Sequence, residues 1–110
     1  MATATVKSLA DGQLPNAKGT LYTCPASTQT MLTVTLVATG AVARTVNLYL
    51  KRSGSTSRRI IPKAMTMDPG DAAYIDHEGR PYALAAGDLI EGDASTAAEV
   101  DYTIDGVERA

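Results

Sequence analysis

Few residues of this chain could do chemistry, and they are scattered. His77 is the only histidine and Cys24 the only cysteine. His77 stands in the polar run Asp76-His77-Glu78-Gly79-Arg80. In an extended segment Asp76 and His77 point to opposite faces, so they are no ready acid–base couple, and a solvated loop is the preferred reading. A Ser-His-Asp triad would have to recruit this one histidine, and no G-x-S-x-G nucleophile turn occurs. A single cysteine forms neither an intrachain disulfide nor a cysteine-based zinc site. Cys24 therefore reads as a small buried hydrophobe. No catalytic residue, metal ligand or cofactor is assigned.

Carboxylates are more numerous. Asp101 and Asp105 share one strand face, and Glu91 and Asp93 share another. Calcium needs six or more oxygens, and no Asp-x-Asp/Asn-x-Asp/Asn-Gly spacing gathers them, so solvated acidic faces are preferred. Such faces also discourage edge-to-edge aggregation. Arg52, Arg58 and Arg59 flank the small polar loop Ser53-Gly54-Ser55-Thr56-Ser57. Adjacent arginines can grip a phosphate or a partner's carboxylate, and no P-loop pattern accompanies them. Tyr49 and Tyr74 have the opposite parity from Leu48, Leu50 and Ile75, so they are expected to project outward. Exposed aromatics are enriched at interfaces. Tyr49, Tyr74, Arg52, Arg58 and Arg59 are the candidate interface residues.

These residues must be positioned by one small core. The chain has 110 residues, enough for a single domain. It contains no Trp and no Phe, so five Tyr supply all the aromatic surface and aliphatic side chains must fill the interior. The formal net charge is −2, against the basic balance of nucleic-acid binders. No apolar run approaches the ~20 residues of a membrane helix, and Met1 to Leu14 shows no signal-peptide core.

Strand patterns dominate from Thr20 onward. In Thr30 to Thr39, Leu32, Val34 and Leu36 alternate with Thr33 and Thr35. Residues 44 to 51 repeat this, with Val46, Leu48 and Leu50 inward, and the two runs are expected to form a hairpin across Gly40. Pro62 breaks the run Arg58 to Met67, which places it at an edge or splits it. Asp68-Pro69-Gly70-Asp71 fits a type II turn. Short strands follow at Ala72 to Asp76, Tyr82 to Leu84 and Leu89 to Glu91, with a bulge expected at Gly92. The last strand is Ala98 to Val107, with Val100, Tyr102 and Ile104 inward. Residues 1 to 19, with turn formers at Asp11-Gly12, Pro15-Asn16 and Lys18-Gly19, read as an N-terminal arm preceding a domain over 20–110. The expected class is all-β, a β-sandwich of about eight strands, jelly-roll-like rather than immunoglobulin-like.

Several blocks in order carry a resemblance. Thr20-Leu21-Tyr22-Thr23-Cys24-Pro25-Ala26 is similar to a "LYTVPAG" opening, and Ala43 to Leu50 to an "ARTVNLYV" strand. Arg59-Ile60-Ile61-Pro62-Lys63, Leu84-Ala85-Ala86-Gly87-Asp88 and the ending Val100 to Glu108 complete the set. Together they resemble a family of small tailed-bacteriophage virion proteins over residues 20 to 108. Cys24 stands where that pattern has Val. The resemblance implies a structural particle component assembled in the host cytoplasm and located in the virion. The leading form is a capsid decoration (cement) protein bound to the major capsid protein or another virion protein. It is expected to be a homo-oligomer with a trimer favoured, and to bind no nucleic acid and no membrane. The alternatives are a tail or fibre component or, from a different class, a carbohydrate-binding module. That last reading needs Tyr49, Tyr74 and Tyr82 around one groove.

Treatment with EDTA and the change His77→Ala are each expected to leave the melting temperature unchanged. A marked drop with EDTA in a thermal melt would identify the acidic clusters as a calcium site.

Overall fold

The computed structural model describes residues 4–110. Its regular elements are all strands: β1 (Ala4–Gln13), β2 (Gly19–Thr23), β3 (Gln29–Ala38), β4 (Arg44–Lys51), β5 (Ser57–Arg59), β6 (Met65–Met67), β7 (Ala72–Ile75), β8 (Tyr82–Leu84), β9 (Leu89–Ala94) and β10 (Val100–Arg109). Alternation shapes them. In β3, Leu32, Val34 and Leu36 are buried while Met31, Thr33 and Val37 are exposed. β4 does the same with Val46, Leu48 and Leu50. A strand with one apolar face has to lie between a core and solvent.

The pairings are nested and antiparallel. β1 pairs β10, β2 pairs β9, β3 pairs β7 and β8, and β4 pairs β5 and β6. Rolling this double ribbon brings β10 against β3 and β9 against β4. Two five-stranded sheets result. Sheet A runs β1-β10-β3-β7 with β8 also on β3, and sheet B runs β2-β9-β4-β5 with β6 also on β4. Taking β5 with β6 and β7 with β8, the ten strands fill eight positions, which is a jelly roll. Pro62 divides the expected 58–67 strand into β5 and β6, each on a different end of β4. The Asp68–Asp71 turn closes with the Asp71 N–H donating to the Asp68 carbonyl at 2.9 Å. Gly70 there has φ of 82°, the left-handed value a type II turn asks of its third residue.

Four expectations are corrected. β3 and β4 are not a hairpin: they lie in different sheets, and residues 39–43 cross between them. Both strands turn an apolar parity toward the same interior from opposite sides, a pattern that a hairpin shares. Residues 1 to 19 do not stand apart as an arm. Residues 4–13 are the edge strand β1, and Leu14 is fully buried with its N–H donating to the Val100 carbonyl at 2.8 Å. Met1 to Thr3 lie outside the described residues. The apparent turn at Asp11-Gly12 is strand: a side chain at position 12 would meet the Tyr102 ring at 3.3 Å, so the glycine makes room for that ring. The bulge expected at Gly92 lies across the sheet, in β2 between Thr20 and Tyr22. Gly92 is instead buried where a Cβ would stand 2.9 Å from Leu48 Cδ2 and 3.0 Å from Leu21 Cδ1.

The core joins both sheets. Leu32, Val34, Leu36, Val46, Leu48, Leu50, Val100 and Ile104 are all buried in it, with Leu14, Cys24 and Ile90. Tyr102, expected inward, packs only partly against it. Leu48→Ala is expected to cost about 2–5 kcal/mol through the cavity it leaves. Gly92→Ala is expected to cost about 1–3 kcal/mol through overpacking against the same leucine. Urea denaturation measures both; a loss under about 0.5 kcal/mol for Leu48→Ala would refute the packing described.

Candidate assembly surfaces

Two polar knots hold the loops and leave the outer faces free to act. The first is built on Asp88, which is only 4% exposed. Its Oδ1 accepts the Ser53 N–H, and its Oδ2 accepts the Ala85 N–H and Arg52 Nη1, each at 2.9 Å. Arg52 also donates to the Ala83 carbonyl at 2.6 Å. Arg52 thus ties the β4–β5 loop to the β8–β9 turn. Burial pushes the Asp88 carboxyl up, but the N–H groups of Ala85 and Ser53 and the Arg52 guanidinium outweigh it and hold it below the usual range.

The second knot crosses the sandwich. Tyr22 of β2 donates to Glu108 Oε2 of β10 at 2.6 Å, and its hydroxyl lies 2.8 Å from Thr30 Oγ1 of β3. Because the one phenolic proton goes to the carboxylate, the Thr30 hydroxyl donates to Tyr22. Lys7 of β1 completes the chain, 2.7 Å from Glu108 Oε1. Burial, then the Glu108 bond, pushes the Tyr22 phenol well above its ordinary value. The Lys7 and Tyr22 hydrogen bonds lower Glu108. No local spacing in the sequence announces this network, because its partners come from distant strands, Tyr22 and Glu108 standing 86 residues apart and Lys7 lying further still from Glu108.

The remaining candidates separate onto opposite faces. On the outer face of sheet B, Tyr49 carries Lys18 Nζ at 4.8 Å and the Arg59 guanidinium at 5.0 Å from its ring centre, two cation–π contacts on one ring. Asn47 Oδ1 accepts from Arg59 at 2.5 Å, and Asn47 Nδ2 donates to Asp93 at 2.8 Å. Glu91 accepts from Ser57. Arg58 is exposed beside this cluster on β5. On the outer face of sheet A, Tyr74 is 78% exposed. The same face carries the cross-strand row Val6–Val107–Met31–Ala83. Val6 is 82% exposed and Met31 49%. Tyr82 belongs to neither outer face; it is half-buried and stacks on His77 with ring centres 5.5 Å apart. Tyr49, Tyr74 and Tyr82 therefore share no groove. Among the described residues, no group of three His, Cys, Asp or Glu side chains is placed to hold a metal.

A rigid jelly roll with one polar and one partly apolar outer face is the type of block defined here. No family model and no curated protein matches the chain. Solved structures share its fold. One is a subunit of Bacillus endospore appendages, described as disulfide-linked pili, with TM-score 0.61 and 13% identity over 98% of this chain and 88% of that one. Another comes from the capsid of a Helicobacter pylori bacteriophage, with TM-score 0.54 and 12% identity over 100% and 94%. A third comes from the infectious bursal disease virus particle, with TM-score 0.57 and 8% identity over 98% of this chain and 30% of that one. At these identities the likeness is one of fold, a fold used by viral capsid and pilus subunits.

The two knots set an acid limit on stability. Glu108 and Asp88 titrate below the usual carboxylate range in the folded chain. Their contribution is therefore complete above the unfolded-state value and is lost as pH falls through the folded value. Urea midpoints are expected to fall steeply below about pH 4. Tyr22→Phe, which takes one hydrogen-bond partner from each of Thr30 and Glu108, is expected to cost about 1–3 kcal/mol at pH 7 and to flatten that acid limb.

Proposed function

We propose that this chain is a structural subunit of a virion, binding an assembled shell as a decoration (cement) protein. The observation that carries the reading is the outer face of sheet A, where a closed jelly roll leaves Val6, Met31, Val37 and Tyr74 exposed on one surface. Water-exposed apolar rows on an otherwise satisfied sandwich mark an interaction site. The fold's recurrence in capsid and pilus subunits supports an assembly role. So do the ordered blocks resembling tailed-phage virion proteins. A rigid block with a modest interface gains avidity when many copies bind a repeating lattice. The partner in this reading is the major capsid protein or another virion protein. The assembled state is a homo-oligomer, with a trimer suited to local three-fold points of a shell. The reading assigns the chain no catalysis, cofactor, nucleic acid or membrane.

A tail or fibre component is the second reading. It is favoured by the placement of the Tyr49 and Tyr74 surfaces on opposite sides of the sandwich, which suits a repeating stack.

Gradient-purified particles from cells carrying the gene are expected to contain the chain at a fixed copy number, with immunogold on the head. Gold on the tail would select the second reading, and particles free of the chain would overturn both.

A further inference from the structure

The outer faces of the two sheets carry net charge of opposite sign. On sheet A, Asp11, Asp101 and Asp105 share the face with Val107 and Met31, since they pair or alternate with one another across β1, β10 and β3. Asp101 accepts from the Gln13 amide at 3.2 Å, and among the described residues no cation lies within 4.0 Å of any of the three. Arg109 stands at the opposite end of the face, beside Ala4. On sheet B, Lys18, Arg59 and Lys51 surround Tyr49, and none of them is paired with a carboxylate within 4.0 Å. That face also carries two carboxylates, Glu91 held by Ser57 and Asp93 by Asn47, so its three cations leave it only modestly basic.

We infer that the chain binds a second copy of itself head-to-tail, the acidic and apolar outer face of sheet A on one copy seating against the basic outer face of sheet B on the next. Charge selects this arrangement. Sheet A against sheet A would bring carboxylates together, and sheet B against sheet B would oppose two faces of net positive charge, each less favourable than faces of opposite sign. Sheet A against sheet B pairs them and sets Met31 and Val107 against the Tyr49 surface. A face four strands wide at about 4.8 Å spacing and roughly 30 Å long offers about 600 Å² per copy. Two such faces bury about 1,200 Å², the lower end of a specific interface. The contact is heterologous, so it closes into a ring if each copy is rotated relative to the last and otherwise extends as a filament. It rests on the reading of the chain as an assembly subunit and adds the surface by which copies meet, an open stack leaving the terminal copy's sheet A face free for the shell.

The test uses two full-length variants, Asp105→Lys on sheet A and Lys18→Glu on sheet B, followed by light scattering at about 50 mM salt, where surface charge is weakly screened. Wild type is expected to rise above the mass of one chain with concentration, and to fall back toward it at about 0.5 M salt. Each variant alone is expected to stay at one chain. An equimolar mixture is expected to reach two chains and stop, because each variant keeps one working face. Wild type that remains a single chain, a mixture that does not combine, or variants that associate like wild type would overturn the proposal. So would Lys18→Glu associating while Asp105→Lys does not, which would mean sheet A meets sheet A. Should either variant lose its strand circular dichroism, Asp101→Lys and Lys51→Glu repeat the test on the same two faces. Failure here leaves the virion assignment standing, since that is read from purified particles.

Discussion

The pairing of β10 with β3 is the constraint on which the rest of this protein depends. The register runs unbroken from Val100 opposite Ala38 to Arg109 opposite Gln29. It sets Ile104 beside Val34 and Tyr102 beside Leu36 on the inner side. The same register sets Val107 beside Met31 and Asp105 beside Thr33 on the outer side. A slip of one residue would turn the slipped strand over, exposing the leucines of β3 or burying an aspartate of β10. The core and the candidate assembly face are thus two sides of one decision.

With no Phe or Trp, the sandwich is filled by Leu, Val and Ile. Polar knots reinforce that core at one end, where Thr30 of one knot lies with Arg52 and Ala85 of the other. Asp88 collects donors from two loops, and the Tyr22, Thr30, Glu108 and Lys7 chain links β2, β3, β10 and β1. Buried hydrogen-bonded groups of this sort are costly to leave half-satisfied, which makes them specific fasteners. They engage Arg52 as a structural tie between loops, whereas Arg58 and Arg59 stay outside both knots.

Much of this was legible in the residues. Alternation named the core of β3, β4 and β10, Pro62 announced a divided strand, and Asp68-Pro69-Gly70-Asp71 announced its turn. The misreadings share a cause. Gly12 and Gly92 look like turn and bulge formers, yet each is small because a distant side chain, Tyr102 or Leu48, fills its space. The 39–43 link is short enough for a hairpin and also for a crossing between sheets. The parity of Tyr49 and Tyr74 turns both outward, but nothing in their spacing places them on opposite sides of the molecule.

The sequence by itself determined which side of each strand faces inward, because side-chain direction in a strand has a period of two residues and depends on nothing further away. Only the tertiary structure decided which strands are neighbours. Pairing joins residues as far apart as Ala4 and Arg109, and many partners satisfy the same alternation. The nested order that makes a jelly roll, the recruitment of residues 4–13 as an edge strand, and the opposed charge of the two outer faces all belong to that second decision. It is set by which apolar faces can be closed over one another at once, a property of the whole chain and of no single segment.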